Sequence, residues 1–352
     1  TADHAAAAPK LIDKLRSELN LPTIVGCSAE GVIGGDKEIE RQPGLAVLVA
    51  EMPLVRVHPF HIESETDWRH LLTDPQELAE RVGYGPQTRA VLGFGDPFTT
   101  PVGQFLKAMD EACPAAPLVG GMASSGREPG ENVLFRNDQA LGGGFVGLSV
   151  SGPVEVQTIV SQGCRPIGRP LVITASHDNI VESLGGRPAL DVLRETVMAL
   201  AEPERQHLAN GLFLGRAISE YRDTFGRGDF LVRNVIGVDD SAKSIGVADH
   251  VRTGQTVQFH VRDATTAGED LAVLLEAQRQ GPPAAGGLLF SCNGRGTRLF
   301  NVACHDIGLA RQAMPRTPVA GFFAAGELGP VGGKNFIHGH TASFALFREE
   351  RG

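Results

Sequence analysis

Aromatic residues are scarce in this 352-residue chain, which has one Trp, two Tyr and an aromatic content of 6%. It also lacks any block of Lys and Arg interleaved with aromatics. With a net charge of −9 and a pI near 5.7, nucleic acid and anionic membranes are poor partners. Cysteine is sparse too. Cys27, Cys113, Cys164, Cys292 and Cys304 are odd in number, widely spaced and form no CxxC pair, which argues against a disulfide framework or structural zinc and fits a reducing compartment. The missing CxxCH motif argues against covalently attached haem. No apolar run approaches the length of a membrane span, and the N-terminus lacks the ordered regions of a signal peptide. The expectation from these absences is a cytoplasmic protein with no membrane insertion and no nucleic-acid partner.

What the chain has in excess is glycine, 44 residues of it, and glycine at this frequency means many tight turns. The glycines recur in a pattern. "PTIVGCSAEGVIGG" (22–35), "PLVGGMASSGREPG" (117–130) and "PVAGFFAAGELGPVGG" (318–333) each read Pro, a short apolar run, Gly, four residues, Gly. The paired glycines are Gly26/Gly31, Gly121/Gly126 and Gly321/Gly326. An apolar run follows each: "GLAVLVAE" (44–51), "GGGFVGLSVSG" (142–152) and "TASFALF" (341–347). Each set reads as strand, loop, strand. Segments with apolar residues at helical spacing precede them, at 11–19, 102–112 and 306–314. In the second and third copies a strand comes before the helix, "RAVLGFGD" and "GGLLFSCNGRG". The repeated unit is therefore β-loop-α-β-loop-β, and the first copy's opening strand is expected upstream of Thr1.

The stretch between the second and third copies offers strands at 170–178, 229–239 and 255–263 and a helix at 187–201, and is open to reading as a diverged fourth unit. "SQGCRPIGRP" (161–170) is the Gly- and Pro-punctuated break. The fold class that follows is α/β, with two related halves of mixed sheets flanked by helices, divided as 1–165 and 166–352.

At these residues the chain resembles the FIST family, named for F-box and intracellular signal transduction proteins. "VGCSAEGVIGG" with "GLAVLVAE" resembles the N-terminal FIST segment, and "FSCNGRGTRLF", "PVAGFFAAGELGP" and "NFIHGHTASFALF" resemble the C-terminal one. The resemblance implies a sensory or ligand-binding module for small molecules such as amino acids, with haem in some members, that works through a signalling partner.

Ligand groups of α/β proteins collect at strand ends. "SCNGRG" places Ser291, Cys292, Asn293 and Arg295 at one such end, where the Arg295 fork suits a carboxylate. Glu327, after Gly326, suits an ammonium group, with Asn335 and His338 orienting the ligand. Cys27, Ser28, Ser124 and Ser125 occupy the equivalent loops of the first two copies. The alternative roles are structural ones: glycines that let strands approach, and Glu327 and His338 bonding backbone to hold a loop. Two further alternatives stay open, a haem sensor with one axial His and an enzyme using Cys292 or Cys27 with His305 or His338. The HxH and HPFH pairs supply two ligands each, too few for zinc. "GGGFVG" runs into a strand, unlike a dinucleotide fingerprint. Thr1 reads as a helix cap, unlike an N-terminal nucleophile.

Overall fold

The computed structural model describes residues 1–63, 65–221, 224–226 and 228–350. These fold as two compact units, Thr1–Ser161 with Leu271–Gly352, and Gln162–Asp270. The chain enters the second unit inside the Gly- and Pro-punctuated stretch, and returns within the helix Ala264–Glu276. In chain order the strands are β1 (Val25–Cys27), β2 (Gly31–Gly34), β3 (Lys37–Glu40), β4 (Arg56–Ile62), β5 (Thr88–Gly95), β6 (Leu118–Met122), β7 (Leu134–Arg136), β8 (Gln139–Leu141), β9 (Phe145–Ser151) and β10 (Val154–Ser161). The second unit holds β11 (Cys164–His177), β12 (Ile180–Leu184), β13 (Arg187–Pro188), β14 (Leu212–Ala217), β15 (Phe230–Asp239), β16 (Ser244–Val247) and β17 (Thr256–Arg262). After the return come β18 (Gly286–Cys292), β19 (Val319–Ala324), β20 (Glu327–Val331), β21 (Lys334–His338) and β22 (Ala342–Glu349).

The first unit contains two sheets of matching design. One runs β21-β20-β6-β5-β9-β4 and the other β3-β2-β19-β18-β22-β10, and in each the central pair, β5–β6 or β18–β19, is parallel while its neighbours are antiparallel. A parallel pair needs a crossover, and the helices Val102–Ala112 and His305–Ala313 supply it. The first buries Phe105, Leu106, Ala108, Met109 and Ala112, one stripe at helical spacing. The inner faces of the two sheets meet over Leu92, Phe94, Val119, Phe290, Phe322 and Ala345. Phe94, Phe290 and Phe322 form a ring cluster there with centroids 5.5 to 6.2 Å apart. Because both faces of each sheet are covered, β18 is buried along nearly all its length and shows no alternation of buried and exposed positions.

The three sequence copies exchange hairpins in a cycle. After its first strand, each copy's hairpin leaves for another copy: β2–β3 pairs with β19, β20–β21 with β6, and β7–β8 with β1. No two copies could satisfy their edges without the third, which physically accounts for a motif present three times in one unit. The strand expected at 44–51 is absent: residues 43–52 join no ladder, and β4, at 56–62, takes the place in the sheet beside β9. Alternation survives without pairing, since Leu45, Val47 and Val49 are exposed while Ala46 and Leu48 reach toward Gly34 and Gly286.

In the parallel pairs, one glycine is demanded by close approach. A Cβ on Gly321 would lie 1.7 Å from the Leu289 carbonyl oxygen, and on Gly120 1.9 Å from that of Gly93. Gly120, rather than its neighbour Gly121, is thus the counterpart of Gly321. Gly321→Ala should lower unfolding free energy by about 1–3 kcal/mol, as overpacking does. An unchanged urea midpoint would show that the strands can part without cost.

The second unit is not a fourth copy. Its strands pair only antiparallel among the described residues, in the order β11-β17-β14-β15-β16-β12-β13, and β12 also pairs with β11, which closes the sheet on itself. Ile167, Ile173, Val181, Leu214, Val247, Val257 and Phe259 fill the interior, with Leu190 and Leu193 of the helix Ala189–Met198. β12 lies in "HDNIVESLGG", a stretch that reads from sequence as a turn entering that helix. Its short apolar run carries both periods. The chain as a whole is a mixed α/β protein with several mixed sheets and flanking helices.

Candidate functional site

The loops that follow the first strand of each copy meet in the first unit. Ser124 Oγ accepts from Glu30 N at 2.9 Å and donates to the Phe323 carbonyl, so one hydroxyl ties together all three copies. Ser28 Oγ lies 2.5 Å from Ser125 Oγ and accepts from Val133 N at 2.8 Å. Ser125 donates in turn to Asn132 Oδ1, and Asn132 Nδ2 to Asp96 Oδ1 at the end of β5. The candidate residues Ser28, Ser124 and Ser125 are therefore brought together, as the hydrogen-bonded frame of the loop ring.

At the end of β18 lies a buried charge cluster. Arg295, fully buried, donates through Nε and Nη2 to Asp306 Oδ2 and Oδ1 at 2.7 and 2.9 Å. Asp306 also accepts from Ser291 Oγ at 2.8 Å and bonds His305 Nδ1 at 3.0 Å. The Arg295 guanidinium lies 5.1 Å from the Phe300 ring centroid, and Phe300 stacks on His305. Asp306 is held well below the usual carboxylate range: burial opposes its charge, and Arg295 and the hydrogen bonds overcome that opposition. The fork expected to hold a ligand carboxylate is thus filled by an internal one. Asp306 sits in the first turn of a helix whose apolar stripe hides it, so only the 11-residue separation from Arg295 was on view in the sequence.

Glu327 completes this end. Its Oε2 accepts from Thr341 N and Thr341 Oγ1 at 3.1 and 2.8 Å, while Oε1 is buried without a hydrogen-bond partner. Burial pushes its pKa up to about 8, and the Thr341 hydrogen bonds, then the Cys292 thiol and Arg295, only partly oppose this. Burial thus favours the neutral carboxyl, and Glu327, 0% exposed, is turned onto Thr341. Glu38, on β3, accepts from Ile307 N at 2.8 Å and is likewise raised, to about 7, by burial and then by Asp306. Cys292 Sγ accepts from Gly294 N at 3.5 Å.

Between the cluster and the loop ring a shallow depression opens, lined by Glu30, Gly31, Glu40, Arg41, Asn293, Arg298 and Phe323. Arg298 forks onto Glu30 and also donates to the Asn293 carbonyl. Glu40 accepts from Thr297 N and Thr297 Oγ1 at 3.0 and 2.8 Å. The turn that allows this is Gly296: its φ is +57°, and a Cβ would fall 2.7 Å from Glu40 Oε1. Of the expected residues only Asn293 lines the depression. Glu30, Glu40, Arg41 and Arg298 went unread because charged residues at turns look like any solvated turn, and only the hairpin exchange sets β2–β3 beside residues 293–298.

Three expected residues lie outside this arrangement. Asn335 binds Asp110 Oδ1 through Nδ2 and accepts from Leu118 N, tying β21 to the helix Val102–Ala112 and to β6. His338 Nε2 bonds the Gly329 carbonyl across its own hairpin at 3.0 Å. Both hold structure. Cys27 lies in β1, and burial raises its thiol pKa, the opposite of what a nucleophile needs. His305, the other half of the Cys/His alternative, turns Nδ1 to Asp306. Nor does the depression fit haem, since charged side chains dominate its lining and no histidine is among them.

The fold is thus a two-sheet α/β unit whose Gly-rich loops converge beside a charged depression. The FIST N domain matches residues 1–187 and the FIST C domain 189–330, so the chain belongs to the FIST family, whose domains are sensory domains of signal transduction. An uncharacterised protein of Mycobacterium tuberculosis is 38% identical over 347 residues, covering 98% of this chain and 88% of the relative. An uncharacterised protein of Mycobacterium bovis is 37% identical over 350 residues, with coverages of 99% and 88%. No helix among the described residues is long and apolar enough to cross a membrane.

Proposed function

We propose that this chain is a cytoplasmic sensory module that binds a small polar molecule of the amino-acid class at the depression, and passes the bound state to a separate signalling protein without catalysis. The observation that carries the reading is the lining itself: two Glu, two Arg, an Asn and a Phe gathered where three loops converge. Carboxylates of Glu30 and Glu40 suit an ammonium group, the Arg41 and Arg298 guanidiniums suit a carboxylate, and Phe323 suits an apolar side chain. Arg298 and Glu30 neutralise each other as they stand, so a zwitterion would exchange one set of ion pairs for another. The electrostatic cost of binding is then small. Arg295, Glu327 and Ser291 support this site from beneath and do not contact the ligand.

Native mass spectrometry of the purified protein, followed by melting curves with a panel of amino acids, tests the reading. At least one should raise Tm saturably. Arg298→Ala should weaken that ligand by about tenfold or more, as loss of a forked charge-assisted contact does. Its effect on stability should be slight, because the Arg298–Glu30 pair is 40% and 33% exposed. No co-purifying molecule and no shift across the panel would remove the reading's support.

A further inference from the structure

In the second unit, two arginines face the interior of the closed sheet at one end. Arg216 lies opposite Leu231 and Val257, and Arg233 opposite Leu214, so both share the face that builds the apolar core. The loop between β16 and β17 brings Asp249 over the same end. Its Oδ2 is shared by Arg216 Nη2 at 3.4 Å and Arg233 Nε at 3.5 Å, while Oδ1 accepts from the backbone N of His250. These are long separations for charge-assisted bonds, which run near 2.7–2.9 Å.

Among the described residues, donors exceed acceptors here. Each guanidinium carries five N–H groups in a fixed fork. Arg233 gives one more bond, Nη1 to the Val232 carbonyl at 3.2 Å, and Arg216 Nε is buried with no partner. Of the acids described at this end besides Asp249, Glu220 is exposed and turned onto Thr256 N, and Asp229 accepts from Gly226 N. Among the described residues, two cations therefore share one carboxylate oxygen at the end of a largely apolar barrel, where an unpaired charge is costly. The two side chains are 25% and 17% exposed, which leaves a route from solvent.

We infer that the mouth of the barrel is a second binding site, for a small oxyanion, in which the Arg216 and Arg233 forks clamp a carboxylate or phosphate group and Asp249 holds them in place until it arrives. Asp249 competes with the ligand. Removing its charge should tighten binding, and removing either arginine should loosen it, opposite signs that a purely structural role for the trio would not give.

The test uses the full chain with two probes, inorganic phosphate and propionate, titrated calorimetrically against chloride at matched ionic strength. At least one should bind saturably, and which one does distinguishes a phosphoryl ligand from a carboxylate. Asp249→Asn should bind it about threefold or more tighter, and Arg216→Gln about tenfold weaker. Should Arg233→Gln fail to fold, Arg216→Gln, whose side chain is the more exposed, decides alone. Arg298→Ala should leave this binding intact, so the inference stands or falls apart from the depression of the first unit. Failure of both probes to bind wild type and Asp249→Asn would overturn it, as would binding that Arg216→Gln leaves unchanged or that Arg298→Ala abolishes.

Discussion

Asp306→Ala should destabilise the first unit by about 3–5 kcal/mol, the cost of leaving a buried charge without its partner. Arg295 and Asp306 are 0% and 1% exposed, so water cannot take the place of the lost carboxylate. Four groups lose an acceptor at once: Arg295 Nε and Nη2, Ser291 Oγ and His305 Nδ1. Asp306→Asn keeps the shape and one acceptor oxygen but not the charge, and should fall between wild type and alanine. The double variant Arg295→Met, Asp306→Leu removes both charges, and should lose less than Asp306→Ala despite changing more atoms. Trp68, the single Trp, is buried in this unit's core, so its fluorescence in urea follows the relevant transition. A loss of less than about 1 kcal/mol in Asp306→Ala, the range of an exposed pair, would mean that the pair is solvated.

This ion pair also marks where sequence reading runs out. The strands ending at Gly95, Met122, Cys292 and Ala324 were legible because buried strands bounded by glycine are local signals, as was the stripe of the helix Val102–Ala112. The triple motif was legible as a repeat. Its exchange of hairpins was not, because which edge a hairpin joins depends on packing across some 200 to 300 residues. The site inherits that limit. Ser28, Ser124 and Ser125 could be named from their loops, whereas Glu30, Glu40 and Arg41 gain meaning only when β2–β3 lies against β19. Arg295 stands out in the sequence between two glycines as a fork for a carboxylate. The carboxylate that meets it here is Asp306, 11 residues on in a helix, and that pairing is not a local signal.

Stability of the first unit should fall as pH rises from about 4.5 to about 8, by as much as about 4–5 kcal/mol from Glu327 alone. The sign follows from the direction of the shift. Glu327 titrates near 4.5 when unfolded and near 8 when folded, so between those values the native state holds a proton that the unfolded state has released. Its contribution is complete below about pH 4.5, drains away as pH climbs to about 8, and is flat beyond. Glu38, raised to about 7, pulls in the same direction over a narrower window. Asp306, held low, acts oppositely: its share is lost only as pH drops below its unfolded range near 3.8. For this cluster the most favourable region is therefore mildly acidic. Glu327→Gln keeps an amide oxygen for Thr341 N and Thr341 Oγ1 and has no proton to lose. Its urea midpoint should be less sensitive than wild type between about pH 5 and about pH 9, and should exceed wild type at the upper end. Parallel profiles for the two proteins would place the titrating carboxyl elsewhere.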